Sequence, residues 1–460
     1  MKTSRSFAAL LAGMLLLTVS AVSQAQTPAS DQAVVLRGAR VIDGTAGNPI
    51  DNAAVVIREG RILAIGPAAS ITVPPGATVI DYSGKTIIPG LISTHSHVGI
   101  FAGVKSAPEN YNRNFILQQL RQYEAYGVTA VTALGLNGPL FYELREDLHA
   151  GRVPGADLFG ADQGVGAVGG QPAASVVVVA DNQITRPNGE ERARLAIREM
   201  AARKTDLVKI WLDGGGGLMP KIKPEVYSAV IDEAHKNGLR VAAHIYDLDD
   251  AKAIVRAGVD IIAHGVRDKA VDPELIDMLK ARSVWYIATI GLDESIYSFA
   301  EQAPWTKEPF VQRVLHPSVR SLLDDPAYRE RTLAAAGSAK ARAAVANNKE
   351  NLKTLHDAGV RIAFGSDSGV GLRFPGVAEH RELALSVEAG LAPMQALTLA
   401  TSNAAGLLKL EDRGVLAVGK LANLSVLDGD PTADIGNSKR IHAVWHRGKQ
   451  AAGPVEMFTP

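Results

Sequence analysis

Residues 207–264 read LVKIWLDGGGGLMPKIKPEVYSAVIDEAHKNGLRVAAHIYDLDDAKAIVRAGVDIIAH, and their rhythm decides the fold. Leu207–Leu212 is a short apolar run. Pro224–Asn237 then places Val226, Val230, Ile231 and Ala234 at helical spacing, and Asn237-Gly238 stops it. Leu239–Ala243 is again strand-like, Asp249–Ala257 helical up to Gly258, and Val259–Ala263 a further strand. Strands that alternate with amphipathic helices predict a parallel sheet with crossover helices.

The same unit extends in both directions. Thr86–Ile92 precedes a helix around Arg113–Tyr126, and Thr129–Ala133 follows it. Pro273–Arg282 with Trp285–Thr289 repeats the unit, and Arg361–Gly365 reads as the last strand after a helix at Leu352–Ala358. About eight units fit an α/β chain folded as a (β/α)₈ TIM barrel, which typically takes ~250 residues and more with insertions. The barrel is expected over residues 88–414, interrupted by a helical insertion at 291–350. That insertion is expected over the barrel mouth, since it follows the seventh strand-like run. Short strands punctuated by Asp43-Gly44, Glu59-Gly60 and Pro74-Pro75-Gly76 fill residues 33–87, and strands return at Leu421–Leu427 and Ala443–Arg447. One small β-sandwich domain assembled from residues 33–87 and 415–452 is the expectation.

The 460 residues are 47% hydrophobic and 21% charged, with 48 basic against 48 acidic side chains, so no net charge draws the chain to nucleic acid or anionic lipid. There is no cysteine, which excludes disulfides and thiolate ligands. Lys2 and Arg5, the apolar stretch Phe7–Val22 and the small residues of Ser23-Gln24-Ala25 read as a signal peptide over residues 1–25. The expectation is an exported, most simply periplasmic, protein that is free of the membrane after cleavage and acts on a small molecule. Whether it forms a homo-oligomer stays open.

Chemistry-bearing residues fall where barrel active sites are built, at the C-terminal ends of strands. His95 and His97 follow Pro89-Gly90-Leu91-Ile92, Lys209 lies in Leu207–Trp211, His244 ends Val241-Ala242-Ala243, His264 ends Ile261-Ile262-Ala263, and Asp367 follows Ile362–Ser366. Two residues apart on a strand, His95 and His97 point to one face. Each has a bland alternative: an incidental His-x-His pair, core histidines, a snorkelling lysine, an aspartate capping a turn. Six such accidents at successive strand ends are a poor explanation.

With these residues in place the sequence resembles the amidohydrolase superfamily. Pro89-Gly90-Leu91-Ile92-Ser93-Thr94-His95-Ser96-His97 is similar to its signature. Gly390–Leu397, Ala400–Ala405, Gly414, Gly419–Asn423 and Asp428-Gly429-Asp430-Pro431 are similar to its later segments. Asn423 stands where that family usually has Asp. The resemblance implies two divalent ions, zinc by default with manganese, iron or cobalt as substitutes. His95, His97 and Asp367 would hold the more buried ion and His244 and His264 the more exposed. Lys209, carboxylated by CO₂ to a carbamate, would bridge them. A shared hydroxide would be the nucleophile, and Asp367 would shuttle its proton.

Amide hydrolysis of a dipeptide or N-acyl amino acid is the expected reaction, since the resemblance is greatest to the branch holding metal-dependent dipeptidases and carboxypeptidases. A mononuclear deaminase would leave the buried lysine unexplained and needs a glutamate that Ile245-Tyr246-Asp247 does not supply. Lactone, carbamate or ester hydrolysis on the same site, and a non-catalytic ligand-binding protein, are the remaining alternatives. Gln171 stands where that branch often carries histidine in Gly-Gly-His. Gln171, Tyr246 and Arg373 are the candidate substrate contacts.

Overall fold

The computed structural model describes residues 32–451. The signal peptide expected at residues 1–25 lies outside them. Eight parallel strands follow one another in chain order: Leu91–Ser96, Val128–Leu134, Asp157–Ala161, Val208–Trp211, Val241–His244, Ile261–Ile262, Trp285–Ile287 and Arg361–Ala363. The first three pair with one another, and so do the last five. Parallel bridges join Ala161 to Leu207, and Ser96 to Ser368 just past the eighth strand. The fold is of the TIM-barrel type.

Side-chain alternation explains how this ring is filled. Val208, Ile210, Val241, Ala243 and Ile262 pack outward with the helix residues Val230, Ile231, Ile254 and Val255. Leu134, Ala161, Leu207, Ala242, Ile261, Ala263, Ile287 and Ala363 form a second cluster of largely small residues, the strand positions that face inward. Lys209 is in phase with Leu207, so the period of two turns it inward as well.

The terminal strands form one mixed sheet. Thr86–Pro89 is where its halves meet, pairing in parallel with Val34–Val41 and antiparallel with Leu424–Leu427. Beyond these lie Ile50–Arg58 and Arg61–Pro67 on one side and Ile441–His446 on the other. Ile57, Ile62, Ile87, Leu424 and Trp445 share one buried cluster.

Several elements differ from the sequence reading. Thr86–Ile92 is two strands, Thr86–Pro89 in the mixed sheet and Leu91–Ser96 in the barrel. The chain changes sheets at Gly90, whose N–H donates to Asn423 O while the next residue bonds to Gly127 O. The strand Asp157–Ala161 carries no clear strand signal in the sequence, because Asp157 and Gly160 interrupt its apolar pattern. The division at residue 350 falls inside one helix, Ala336–Asp357, which runs on from the insertion. It contains one glycine, near its start, and no proline, and it is rich in alanine, so nothing in the sequence stops it.

Candidate metal centre

The barrel gathers the six expected residues at the C-terminal ends of its strands. Lys209 is fully buried, and its Nζ lies 3.5 Å from His95 Nε2. Asp367 Oδ1 lies 3.3 Å from His95 Nε2 and 3.1 Å from His97 Nε2. The rings of His95 and His264 have centroids 4.4 Å apart, and those of His264 and His244 are 4.3 Å apart. Room for the lysine comes from Gly135, in the left-handed region at φ 93°, where a Cβ would sit 3.3 Å from Lys209 Cγ and 2.7 Å from Trp211.

Hydrogen bonds fix which nitrogens are free to ligate. His95 Nδ1 donates to Ala263 O at 2.6 Å. Thr289 Oγ1 donates to Ala288 O, so it accepts from His264 Nδ1 at 2.9 Å. Both rings therefore keep a lone pair on Nε2. Burial first, and then the Lys209 charge on His95 and the neighbouring His244 and His95 rings on His264, hold both imidazoles well below the usual histidine range. His97 Nδ1 and His244 Nε2 are buried without a hydrogen-bond partner. Burial also pushes the Lys209 amine down to about 7. A buried set of neutral imidazoles around an ionised carboxylate is a donor set that suits divalent ions. His95, His264 and Asp367 place ligand atoms within 4.8 Å of one another, a triple that crosses the two sets the resemblance implied.

Asp367 itself is held under strain. Its φ is +55°, a conformation that costs a non-glycine residue ~1–2 kcal/mol. Arg373 secures it, donating Nη2 to Asp367 Oδ2 at 2.9 Å and Nε to Asp367 O at 2.7 Å. Burial would raise this carboxyl, but its neighbours, the Arg373 guanidinium first among them, outweigh it and hold it well below the usual range. The following turn needs Gly369, at φ 89°, where a Cβ would lie 1.9 Å from His97 O.

The three candidate substrate contacts stand in different surroundings. Arg373 is committed to Asp367 and to Ser295 Oγ, so its guanidinium braces the site. Gln171 Oε1 accepts from the Ala173 N–H in its own loop. Tyr246 is half-buried between two cations, with Arg267 4.7 Å and Lys340 4.5 Å from its ring centre. Two residues were missed. Asp213 follows the Lys209 strand, and its Oδ2 lies 3.5 Å from His244 Nε2. Burial raises its carboxyl, but the nearby His244, the Gly215 N–H and Arg267 together reverse this and hold it at about 2. Arg267 is buried and pairs with Asp293 at 3.2 Å. The signal for Asp213 was available, since it directly follows an apolar strand. Arg267 sits three residues past His264 and had no such cue. A cavity of about 600 Å³ opens at the other end of the barrel, between Glu124, Pro154, Gly155 and His446, and shares no residue with the six candidate metal ligands.

The amidohydrolase family model matches residues 86–451. The chain belongs to the amidohydrolase family. It is therefore a hydrolase acting on C–N bonds, in a family that generally binds divalent metals and acts on small molecules. Ochratoxinase of Aspergillus niger is 24% identical over 451 residues, covering 89% of this chain and 84% of the relative. Enamidase of Eubacterium barkeri is 25% identical over 239 residues, 49% of this chain and 54% of the relative. The solved structure of a Xaa-Pro dipeptidase with bound methionine superimposes with a TM-score of 0.72 at 25% identity, covering 92% of this chain and all of that one. No helix among the described residues is long and apolar enough to cross a membrane.

Proposed function

We propose that the chain hydrolyses the amide bond of a dipeptide or N-acyl amino acid with two divalent ions, zinc by default. His95, His97, Lys209, His244, His264 and Asp367 would hold them, with Lys209 carrying a CO₂-derived carbamate. The observation that carries this reading is the Lys209 amine, wholly buried 3.5 Å from His95 Nε2 and lowered by burial to about 7. A neutral amine there can take up CO₂ and present two anionic oxygens, where an ammonium would repel cations.

When bound, the ions polarise an acyl oxygen and lower the pKa of water. The chain supplies the rest. Asp367 is ionised and can accept a proton at Oδ1, facing His95 and His97, while Arg373 occupies Oδ2 and keeps the carboxylate oriented. The same group can return the proton to a leaving amine. Ala263 O and Thr289 hold the imidazoles of His95 and His264 with Nε2 toward the centre. The names of the Xaa-Pro dipeptidase and enamidase relatives support a C–N bond as the target.

The proposal includes export by cleavage after Ala25. It also includes a division into a barrel over 88–414 and a two-layered small domain from 33–87 and 415–452. Support for the layering is the buried side-chain cluster that Ile57 and Ile62 of the first strands share with Leu424 and Trp445 of the last segment. The test is amine release from a library of dipeptides and N-acyl amino acids with and without added zinc. Zinc-dependent release supports the reading. Turnover confined to esters, lactones or carbamates overturns it.

A further inference from the structure

Behind the metal-binding face lies a buried carboxyl group that the reaction does not consume. Glu379, in the helix Val377–Glu388, has no exposed surface. Its Oε1 accepts from three hydroxyls: Ser366 Oγ at 2.6 Å, Ser368 Oγ at 2.6 Å and Ser93 Oγ at 3.1 Å. Oε2 accepts from the Gly376 N–H at 2.8 Å, and Tyr123 OH lies 2.6 Å from Ser368 Oγ. Ser366 and Ser368 flank Asp367. Ser93 lies two residues before His95 on the first barrel strand. One carboxyl oxygen thus ties the segment that carries Asp367 to the strand that carries His95 and His97.

The backbone shows why such a tie is needed. Asp367 N–H donates to His95 O at 2.9 Å and His97 N–H to Ser368 O at 2.7 Å, which sets spacing along the strands. Neither bond fixes the twist of a residue at φ +55°. Strained backbone persists only where its surroundings over-determine it, and two hydroxyl anchors on one buried oxygen do this from both sides. We propose that Glu379 is a positioning residue that sets the Asp367 carboxylate against His95 and His97 through Ser366 and Ser368.

This rests on the reading of Asp367 as ligand and proton carrier, and the test separates the two. Full-length wild type, Glu379→Gln and the double variant Ser366→Ala/Ser368→Ala are compared by zinc titration of the apoproteins and by kinetics at saturating zinc. Outer-shell partners typically carry 10–100-fold in metal affinity or activity. The expectation for both variants is zinc affinity lowered about tenfold or more, kcat lowered about tenfold or more at saturating zinc, and KM within about twofold. A structural role alone would lower the melting temperature and leave this kcat-against-KM split absent. If Glu379→Gln does not fold, the double serine variant decides. Wild-type affinity and kcat in a folded variant overturn the positioning role. A wild-type protein that binds no zinc overturns the reading of Asp367 instead.

Discussion

Lys209 and Arg373 are both basic side chains at the metal-binding site, and their surroundings give them opposite tasks. Arg373 meets Asp367 directly and keeps it ionised. Lys209 faces imidazoles in a site that strips its solvation, and burial brings its amine to about 7. Lys209→Ala is expected to lose at least one ion and most activity while still folding, and Lys209→Arg to fail too, because a fixed cation repels both ions. Short carboxylic acids added to Lys209→Ala should restore part of the activity by supplying two oxygens. The pH dependence has a definite sign. The amine is neutral above about 7 and charged below, so metal uptake by wild-type apoprotein, compared at equal dissolved CO₂, should run roughly tenfold slower at pH 6 than at pH 8. Normal two-metal binding by Lys209→Ala would remove the bridge from the account.

At the scale of elements, the helices decide what surrounds the site. The insertion reaches the mouth at chosen points and packs outside it at others. His316 and Ser318 crowd Gly103 in the loop after the first strand, Ser295 meets Arg373, and Lys340 lies over Tyr246. Phe310 instead packs against Tyr126 and His380 on the flank of the barrel. Lys340 is exposed at the rim, close to Gly216, where it can meet an anionic substrate group. Lys340→Ala should therefore raise KM about fivefold for carboxylate-bearing substrates, ~1 kcal/mol, with kcat unchanged. An unaltered KM across the library would leave the insertion without a part in binding.

Most of the barrel could be read from the sequence because its strands and helices carry their own periods, as Val226, Val230 and Ile231 do against Val241–Ala243. The positions of the metal-binding residues could be read for the same reason, each standing at a strand end. What escaped depended on distant partners. Asp157 looks unlike a strand residue until Arg413 and Arg447 are beside it, and Glu379 looks like an ordinary helix side chain until Ser93 is beside it. Such pairings, hundreds of residues apart in the chain, leave no local pattern.

Across the whole molecule, the Asp157 cluster locks the C-terminal strand to the barrel. Asp157 is fully buried, bonded to Arg413 and, at 2.8 Å, to Arg447, while His446 Nδ1 lies 2.6 Å from Glu124. Burial would raise the Asp157 carboxyl, but His446, Arg413 and Arg447 reverse this and hold it far below the usual range. A depressed carboxylate contributes stability that is present above about pH 4 and is lost as the pH falls toward its folded value. Asp157→Asn should then cost roughly 1–3 kcal/mol near neutral pH, since it removes the buried counter-charge of Arg413, which keeps only Asp412, and of the partly exposed Arg447. The gap to wild type should shrink in acid, as denaturant melts across pH would show. A gap independent of pH would mean that packing, not charge, holds this joint.

The central claim, a two-metal hydrolase built on a carboxylated lysine, meets its most direct test in elemental analysis of the purified protein paired with turnover. About two transition-metal ions per chain are expected, with amine release lost on chelation and regained when zinc and bicarbonate are returned. Full turnover by protein that retains no metal would contradict it.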